Sequence, residues 1–201
     1  MDMAKAVQQR TLKTRARLLE VAESLVKKGG YEALRVEEVV LGAGVAKGTF
    51  FAHFRDKDAL MDILIGKELE ACLDQAASEP MPDSIDAIIV ALRPYHRCVS
   101  AERYVFDLVL RYSGAAGIEE IGPIARTFER YFRLIEGWMQ HGGYRRDVSP
   151  ALLAEGVQAF AIQSLSLKFC ALHEATDFED RLNDYLNAWL LPGGKSSAGQ
   201  K

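Results

Sequence analysis

Apolar residues at Leu18, Ala22, Leu25 and Val26 recur at helical spacing, and Gly29-Gly30 ends the run as a helix C-cap would. The pattern predicts a first helix from about Thr11 to Lys28. Val36, Val39 and Val40 open a second, short helix ending near Ala43. Its Glu37 and Glu38 fall in the first turn, where the positive end of the helix dipole favours carboxylates. Gly44 can take the left-handed conformation of a sharp turn, Val45 supplies an apolar plug, and a third helix is expected over about 46–54. Within it Phe50 and Phe54 lie one turn apart and are expected to pack inward on the first helix. Asp56 reads as the N-cap of a fourth helix that carries Leu60, Ile63, Leu64, Ala71 and Cys72 until Pro80 and Pro82 end it.

Beyond that boundary the periodicity stays helical, with segments near 83–99, 102–113, 118–141, 149–173 and 177–191, and it carries no strand signal. Ser149-Pro150 has the form of an N-cap followed by proline at the first helical position, and Thr176 with Glu179 has the spacing of a capping box. Pro94 is expected to kink or interrupt its segment, and Pro123 to mark the true start of a long helix. The expected architecture is all-α, with about nine helices. Residues 1–56 form an N-terminal arm and a three-helix helix-turn-helix head, 57–192 a helical bundle, and 193–201 a Gly/Ser-rich disordered tail.

Composition narrows the class without changing this picture. Hydrophobic residues make up 49% of the 201 and charged residues 26%, an ordinary globular balance. An apolar run long enough to span a bilayer and a charged-then-apolar leader are both missing, so a cytoplasmic protein without a membrane partner is expected. Cys72, Cys98 and Cys170 are widely spaced and odd in number, which speaks for buried thiols rather than a disulfide framework or a zinc site. The net charge of −3 hides an asymmetry: residues 1–60 carry eleven basic against eight acidic side chains, and the remainder is acidic. Ahead of the first apolar run Lys5, Arg10, Lys13, Arg15 and Arg17 face only Asp2, so the front of the chain is where a polyanion would bind.

Two short helices joined by a glycine turn, the second tipped with small and hydrogen-bonding residues, form the layout by which a recognition helix enters the DNA major groove. Gly48 removes a side chain where backbone must come close, and Lys47 and Thr49 beside it can reach bases or phosphates. The stretch Gly42-Ala43-Gly44-Val45-Ala46-Lys47-Gly48-Thr49-Phe50-Phe51-Ala52-His53-Phe54, followed by Asp56-Lys57-Asp58-Ala59-Leu60, resembles the signature of the tetracycline-repressor-like (TetR) family of regulators. That resemblance implies a DNA-binding head, a divergent ligand-binding body and dimerisation through the last two long helices. It places Lys47, Thr49, Phe51 and His53 at the DNA face, with Lys57 meeting a phosphate at the start of the fourth helix, and Val45, Ala46 and Gly48 beside them complete the candidate DNA-binding set. Arg35 and Ala46 stand where the family usually has capping Ser or Thr, and Phe51 stands where it usually has Tyr. Arg35 either binds phosphate itself or is simply solvated.

The body invites two further expectations. The 149–173 segment is apolar over most of its circumference, so a second surface must cover it. Together with the stripe on 177–191 it gives a homodimer interface through Leu153, Val157, Phe160, Phe178, Leu182, Tyr185, Leu186 and Trp189. Between head and interface lie Tyr95, His96, Tyr104, Phe106, Tyr112, Phe128, Phe132 and Trp138, which with Gln163 and His173 are candidates to line a pocket for an unknown small-molecule effector. Arg126, Arg130 and Arg133 share a helical face that either attracts an anion or stands solvated. No metal-ligand spacing, nucleophile motif or phosphate loop is present, so neither catalysis nor a cofactor is expected. The sequence thus points to a dimeric regulator that binds a palindromic double-stranded operator, with the resemblance favouring repression over activation.

Overall fold

The computed structural model describes residues 2–113, 121–170 and 177–191. Among them nine helices and no strand are found: α1 (Asp2–Gly29), α2 (Val36–Ala43), α3 (Lys47–His53), α4 (Lys57–Ser78), α5 (Ile85–Val99), α6 (Arg103–Ser113), α7 (Pro123–His141), α8 (Pro150–Lys168) and α9 (Phe178–Leu190). No described helix is long and apolar enough to cross a membrane. Thr176, His173 and the tail beyond Leu191 lie outside the described residues.

The chain divides into two compact units, one of residues 1–69 with 101–126, the other of 70–100 with 127–201. The division falls within α4 and α7 rather than after residue 56, and α6 belongs with the head. In the first unit α1 packs on α2 and α2 on α3. Leu18, Ala22, Val39, Phe50, Leu60, Ile65 and Val105 are fully enclosed there. Gly44 is left-handed (φ 64°) at the end of α2, its N–H donating to the Leu41 carbonyl at 3.1 Å, as the α2–α3 turn requires. Gly30 is also left-handed (φ 85°), and a Cβ there would stand 2.6 Å from the Glu102 carboxylate. That carboxylate accepts the Tyr31 and Glu32 N–H groups, both at 2.7 Å, and so pins the α1–α2 turn.

In the second unit α8 packs on α9 and α9 on α5, around Leu73, Ile88, Leu92, Tyr131, Leu153, Val157, Leu182 and Leu186. Ser149 caps α8 by accepting the Leu152 N–H at 3.3 Å, with Pro150 at the first helical position as expected. The cap of α9 is Asp177, which accepts the Glu179 N–H at 2.8 Å.

Two boundaries differ from the sequence reading. α1 begins at Asp2 rather than near Thr11, because residues 5–13 are exposed and mostly strong helix formers, so propensity carries the helix where no burial pattern marks it. Pro94 does not interrupt α5. A mid-helix proline orphans the carbonyl four residues back. Here that is Val90, which stands 54% exposed on a face where water can take the bond.

Candidate nucleic-acid interface

The recognition segment is held from beneath. Phe50 is fully enclosed and Phe54 3% exposed, with ring centroids 5.3 Å apart, so one face of α3 is anchored in the head core. Helical geometry then turns the remainder outward: Lys47, Gly48, Phe51 and Ala52 are exposed, and Val45, Thr49 and His53 are half-buried. Phe51 stands 49% exposed with its edge against Phe50, a large aromatic ring offered to solvent. At the C-terminal end of α3 Arg15 donates to the His53 carbonyl at 2.6 Å while its guanidinium lies 4.5 Å over the Phe54 ring. A cation there complements the negative end of the helix dipole and fixes α3 to α1.

The two missing caps are real. Arg35 and Ala46 sit at the N-cap positions of α2 and α3 with extended backbones and no side-chain cap bond. The Arg35 guanidinium instead folds back onto the Glu32 carbonyl at 3.0 Å. Lys57, the first residue of α4, donates to that same carbonyl at 3.1 Å and lies 4.7 Å over the Tyr104 ring. Burial, and then the neighbouring Arg35 cation, hold the Lys57 ammonium below the ordinary lysine range. Two cations thus converge at the start of α4, where an anion would relieve their repulsion. Asp56 caps this helix, accepting the Ala59 N–H at 2.8 Å.

Several residues that shape the surface carry no periodic signal. Glu37 pairs with Lys47 at 2.6 Å, and the hydrogen bond from Lys47 holds its carboxyl below the usual range. Asp58 accepts from Tyr104 at 2.7 Å and from Arg111 at 2.6 Å, tying α6 to the start of α4. These contacts join residues 10 to 53 positions apart, beyond the reach of any local pattern.

The expected effector residues are split between the units. Tyr104, Phe106 and Tyr112 stand in the first. Tyr104 is committed to Asp58 and Lys57, Phe106 is buried in the core, and Tyr112 lines a cleft of about 470 Å³ with Arg15, His53, Asp62 and Arg126. Tyr95, His96, Phe128 and Trp138 are buried in the second unit, with Phe132 half-buried. Gln163 is exposed on α8. His96 lies edge-on to Phe178, centroids 5.3 Å apart, with its Nε2 3.4 Å from the Tyr131 hydroxyl. Its Nδ1 and the Ser164 Oγ are buried without a hydrogen-bond partner among the described residues. Burial lowers the His96 pKa to about 4. Arg126, Arg130 and Arg133 are each engaged, by the Ile121 carbonyl, by Glu70 and Asp74, and by Glu129.

The expected dimer residues also divide. Leu153, Val157, Leu182 and Leu186 are at most 1% exposed within a single chain, so they offer a partner nothing. The sequence reading erred here because an apolar helix face looks the same whether its own chain or a second copy covers it. Phe160, Tyr185 and Trp189 remain half-buried, with Phe160 and Tyr185 stacked 4.9 Å apart and Phe160 6.0 Å from Trp189. Phe178 is half-buried against His96.

A glycine-turned helix pair with an anchored, outward-facing second helix defines a helix-turn-helix head. Residues 18–63 match the model of the bacterial regulatory proteins of the tetR family. The chain is similar to the HTH-type transcriptional repressor KstR of Rhodococcus jostii, 24% identical over 121 residues, which cover 59% of this chain and 57% of that protein. The same-named repressor of Mycolicibacterium smegmatis is 38% identical over 66 residues, covering 31% of this chain and 32% of the relative. The chain therefore spans little more than half the length of the first of these. Among solved structures, the fold is shared with Thermus thermophilus FadR in complex with lauroyl-CoA, at a TM-score of 0.60 and 18% identity, over 92% of this chain and 100% of that one. RolR in complex with resorcinol gives a TM-score of 0.64 and 21% identity, over 90% of both chains.

Proposed function

We propose that this protein is a ligand-responsive transcriptional repressor that binds a palindromic operator as a homodimer and is released by a small molecule. One observation carries the reading: α3 is anchored by Phe50 and Phe54 while Lys47, Gly48, Phe51 and Ala52 face solvent. The tip of α3, with Thr49 and His53 on its flanks, enters the major groove. Arg35 and Lys57 take phosphates on either side, the positive end of α4 adding to the attraction. Two copies, one helical turn of DNA apart, read the two halves of the site. The half-buried aromatic patch of Phe160, Tyr185 and Trp189 on α8 and α9 supplies the surface on which the copies pair.

The effector enters the second unit beside Tyr95, His96, Phe128, Phe132 and Trp138. The orphaned Nδ1 of His96 supports that location, because a buried donor or acceptor without a partner costs about 1–3 kcal/mol and a polar ligand atom would recover it. Two structures of the same fold hold lauroyl-CoA and resorcinol, ligands that combine apolar parts with polar handles, which suits a site that opens among these mostly aromatic side chains. The test is an anisotropy titration of the chain on duplex DNA flanking its own gene, with a scrambled duplex as control. Selective, salt-sensitive binding supports the reading, and equal affinity for both duplexes refutes it.

A further inference from the structure

The first unit contains a concavity that reading a duplex does not use. It is the cleft of about 470 Å³ lined by Arg15, His53, Asp62, Tyr112 and Arg126, and every residue around it belongs to that unit. Its volume falls in the range of about 300–1,000 Å³ that small-molecule sites occupy. Ala59, Ile63 and Pro123 supply apolar wall.

One polar group in the cleft is left incomplete. Asp62 is 8% exposed, and its Oδ1 accepts the Ile124 N–H at 2.9 Å at the start of α7. Its Oδ2 has no hydrogen-bond partner among the described residues. A Cβ on Gly122 would stand 2.0 Å from that oxygen, so the glycine is what leaves it room. Burial raises the Asp62 carboxyl above the usual carboxylate range, with the Ile124 N–H and the Arg126 cation pulling the other way. A donor brought to Oδ2 by a ligand therefore relieves a desolvation that the protein leaves uncompensated.

The rest of the cleft is positive. Arg15, Arg55 and Arg126 line it, with Asp62 the one carboxylate among the lining residues. Arg55 pairs with Asp56 at 3.0 Å. Arg15 and Arg126 make no ion pair among the described residues. Their guanidiniums donate instead to the main-chain carbonyls of His53, at 2.6 Å, and Ile121, at 3.0 Å. A carboxylate is a stronger partner for a guanidinium than a neutral carbonyl is.

We infer that this cleft is a second ligand site, within the head itself, for a small aromatic acid that carries a hydroxyl group. The carboxylate goes to the Arg15 and Arg126 guanidiniums, the ring lies against the apolar wall, and the hydroxyl donates to Asp62 Oδ2. This site is separate from the effector position in the second unit. Its consequence for DNA rests on the regulator reading above. Arg15 ties the C-terminal end of α3 to α1, so a carboxylate that draws it from the His53 carbonyl loosens the recognition segment and lowers DNA affinity.

Calorimetric titration of the full chain with 4-hydroxybenzoate, benzoate and phenol, without DNA, tests the site. The hydroxy acid should bind at least about tenfold more tightly than benzoate, which lacks the donor, or phenol, which lacks the acid. Asp62→Asn keeps an acceptor for the Ile124 N–H but puts an amide donor in place of Oδ2, so the two acids should then bind alike. Arg126→Gln should weaken both acids about tenfold and leave phenol unchanged. No heat of binding from 4-hydroxybenzoate, or binding that neither substitution alters, overturns the inference. If circular dichroism shows that Asp62→Asn loses helix, the Arg126→Gln comparison decides alone. Anisotropy on the gene-flanking duplex reads the second step: saturating 4-hydroxybenzoate should lower DNA affinity at least about fivefold, and by less in Arg126→Gln at the same concentration. Calorimetric binding with unchanged DNA affinity overturns the coupling through Arg15. A chain that binds the acid but no duplex removes the regulator reading and leaves the ligand site standing.

Discussion

Gly48 separates folding from DNA binding at one atom. It sits in the first turn of α3, exposed, and a Cβ built there meets nothing within 4 Å. Nothing inside the protein therefore asks for glycine, and glycine in a helix costs about 0.5–1 kcal/mol relative to alanine. Gly48→Ala should raise stability by that amount, which for a chain of this size moves the thermal midpoint up by about 1–4 °C. The groove is about 12 Å wide and a helix with its side chains about 10–12 Å across, so an added methyl pushes α3 back from the DNA. Affinity for the operator duplex should drop at least tenfold, about 1.4 kcal/mol. Calorimetry and anisotropy on the same preparation read the two effects. A variant that is more stable and binds as tightly as wild type refutes the close-approach argument.

Other consequences are equally concrete. Glu37→Gln frees Lys47 and takes a negative charge from beside the recognition segment, so operator affinity should rise severalfold; unchanged affinity means Lys47 does not need to leave Glu37. Tyr185→Glu puts a charge into the stacked Phe160–Tyr185 patch and should convert dimer to monomer in sedimentation without loss of helix, whereas a persisting dimer places the interface elsewhere. The His96 pKa, lowered to about 4 from 6.5, describes a group that is neutral when folded but takes up a proton when unfolded. The stability it protects is fully present above pH 6.5 and is lost as pH falls toward 4, by about 3 kcal/mol at most. Urea unfolding of wild type and His96→Leu between those limits should show a slope in the first and a flatter profile in the second. Gly30→Ala forces a left-handed alanine against the Glu102 carboxylate and should destabilise the head by more than 1 kcal/mol in chemical unfolding; an unchanged midpoint shows that the turn can relax.

The head was legible because its geometry is local. Gly44 follows directly on α2, Phe50 and Phe54 are one turn apart, and Asp56 lies three residues from the N–H it caps, so each is a short-range pattern with a single structural solution. The partners that tune the surface were not legible. Glu37 with Lys47, Arg15 with His53 and Asp58 with Tyr104 and Arg111 are brought together by packing, and nothing in the spacing announces them. The body was legible only as helices. Leu153 and Leu182 read as a dimer seam but are closed off within one chain, while Phe160 and Tyr185 on the same helices remain accessible. Likewise the aromatic residues between head and interface fell into two units, with Tyr104 serving the head, because hydrophobicity records that a side chain is covered and not by what.

The central claim is that two outward-facing copies of α3 read one duplex. Hydroxyl-radical footprinting of the chain on the DNA flanking its gene tests it most directly. The account predicts two protected patches related by a two-fold axis, their centres about 10 base pairs apart or a multiple of that, both erased by Lys47→Ala. Uniform protection along the duplex, or a footprint that survives Lys47→Ala unchanged, would contradict it.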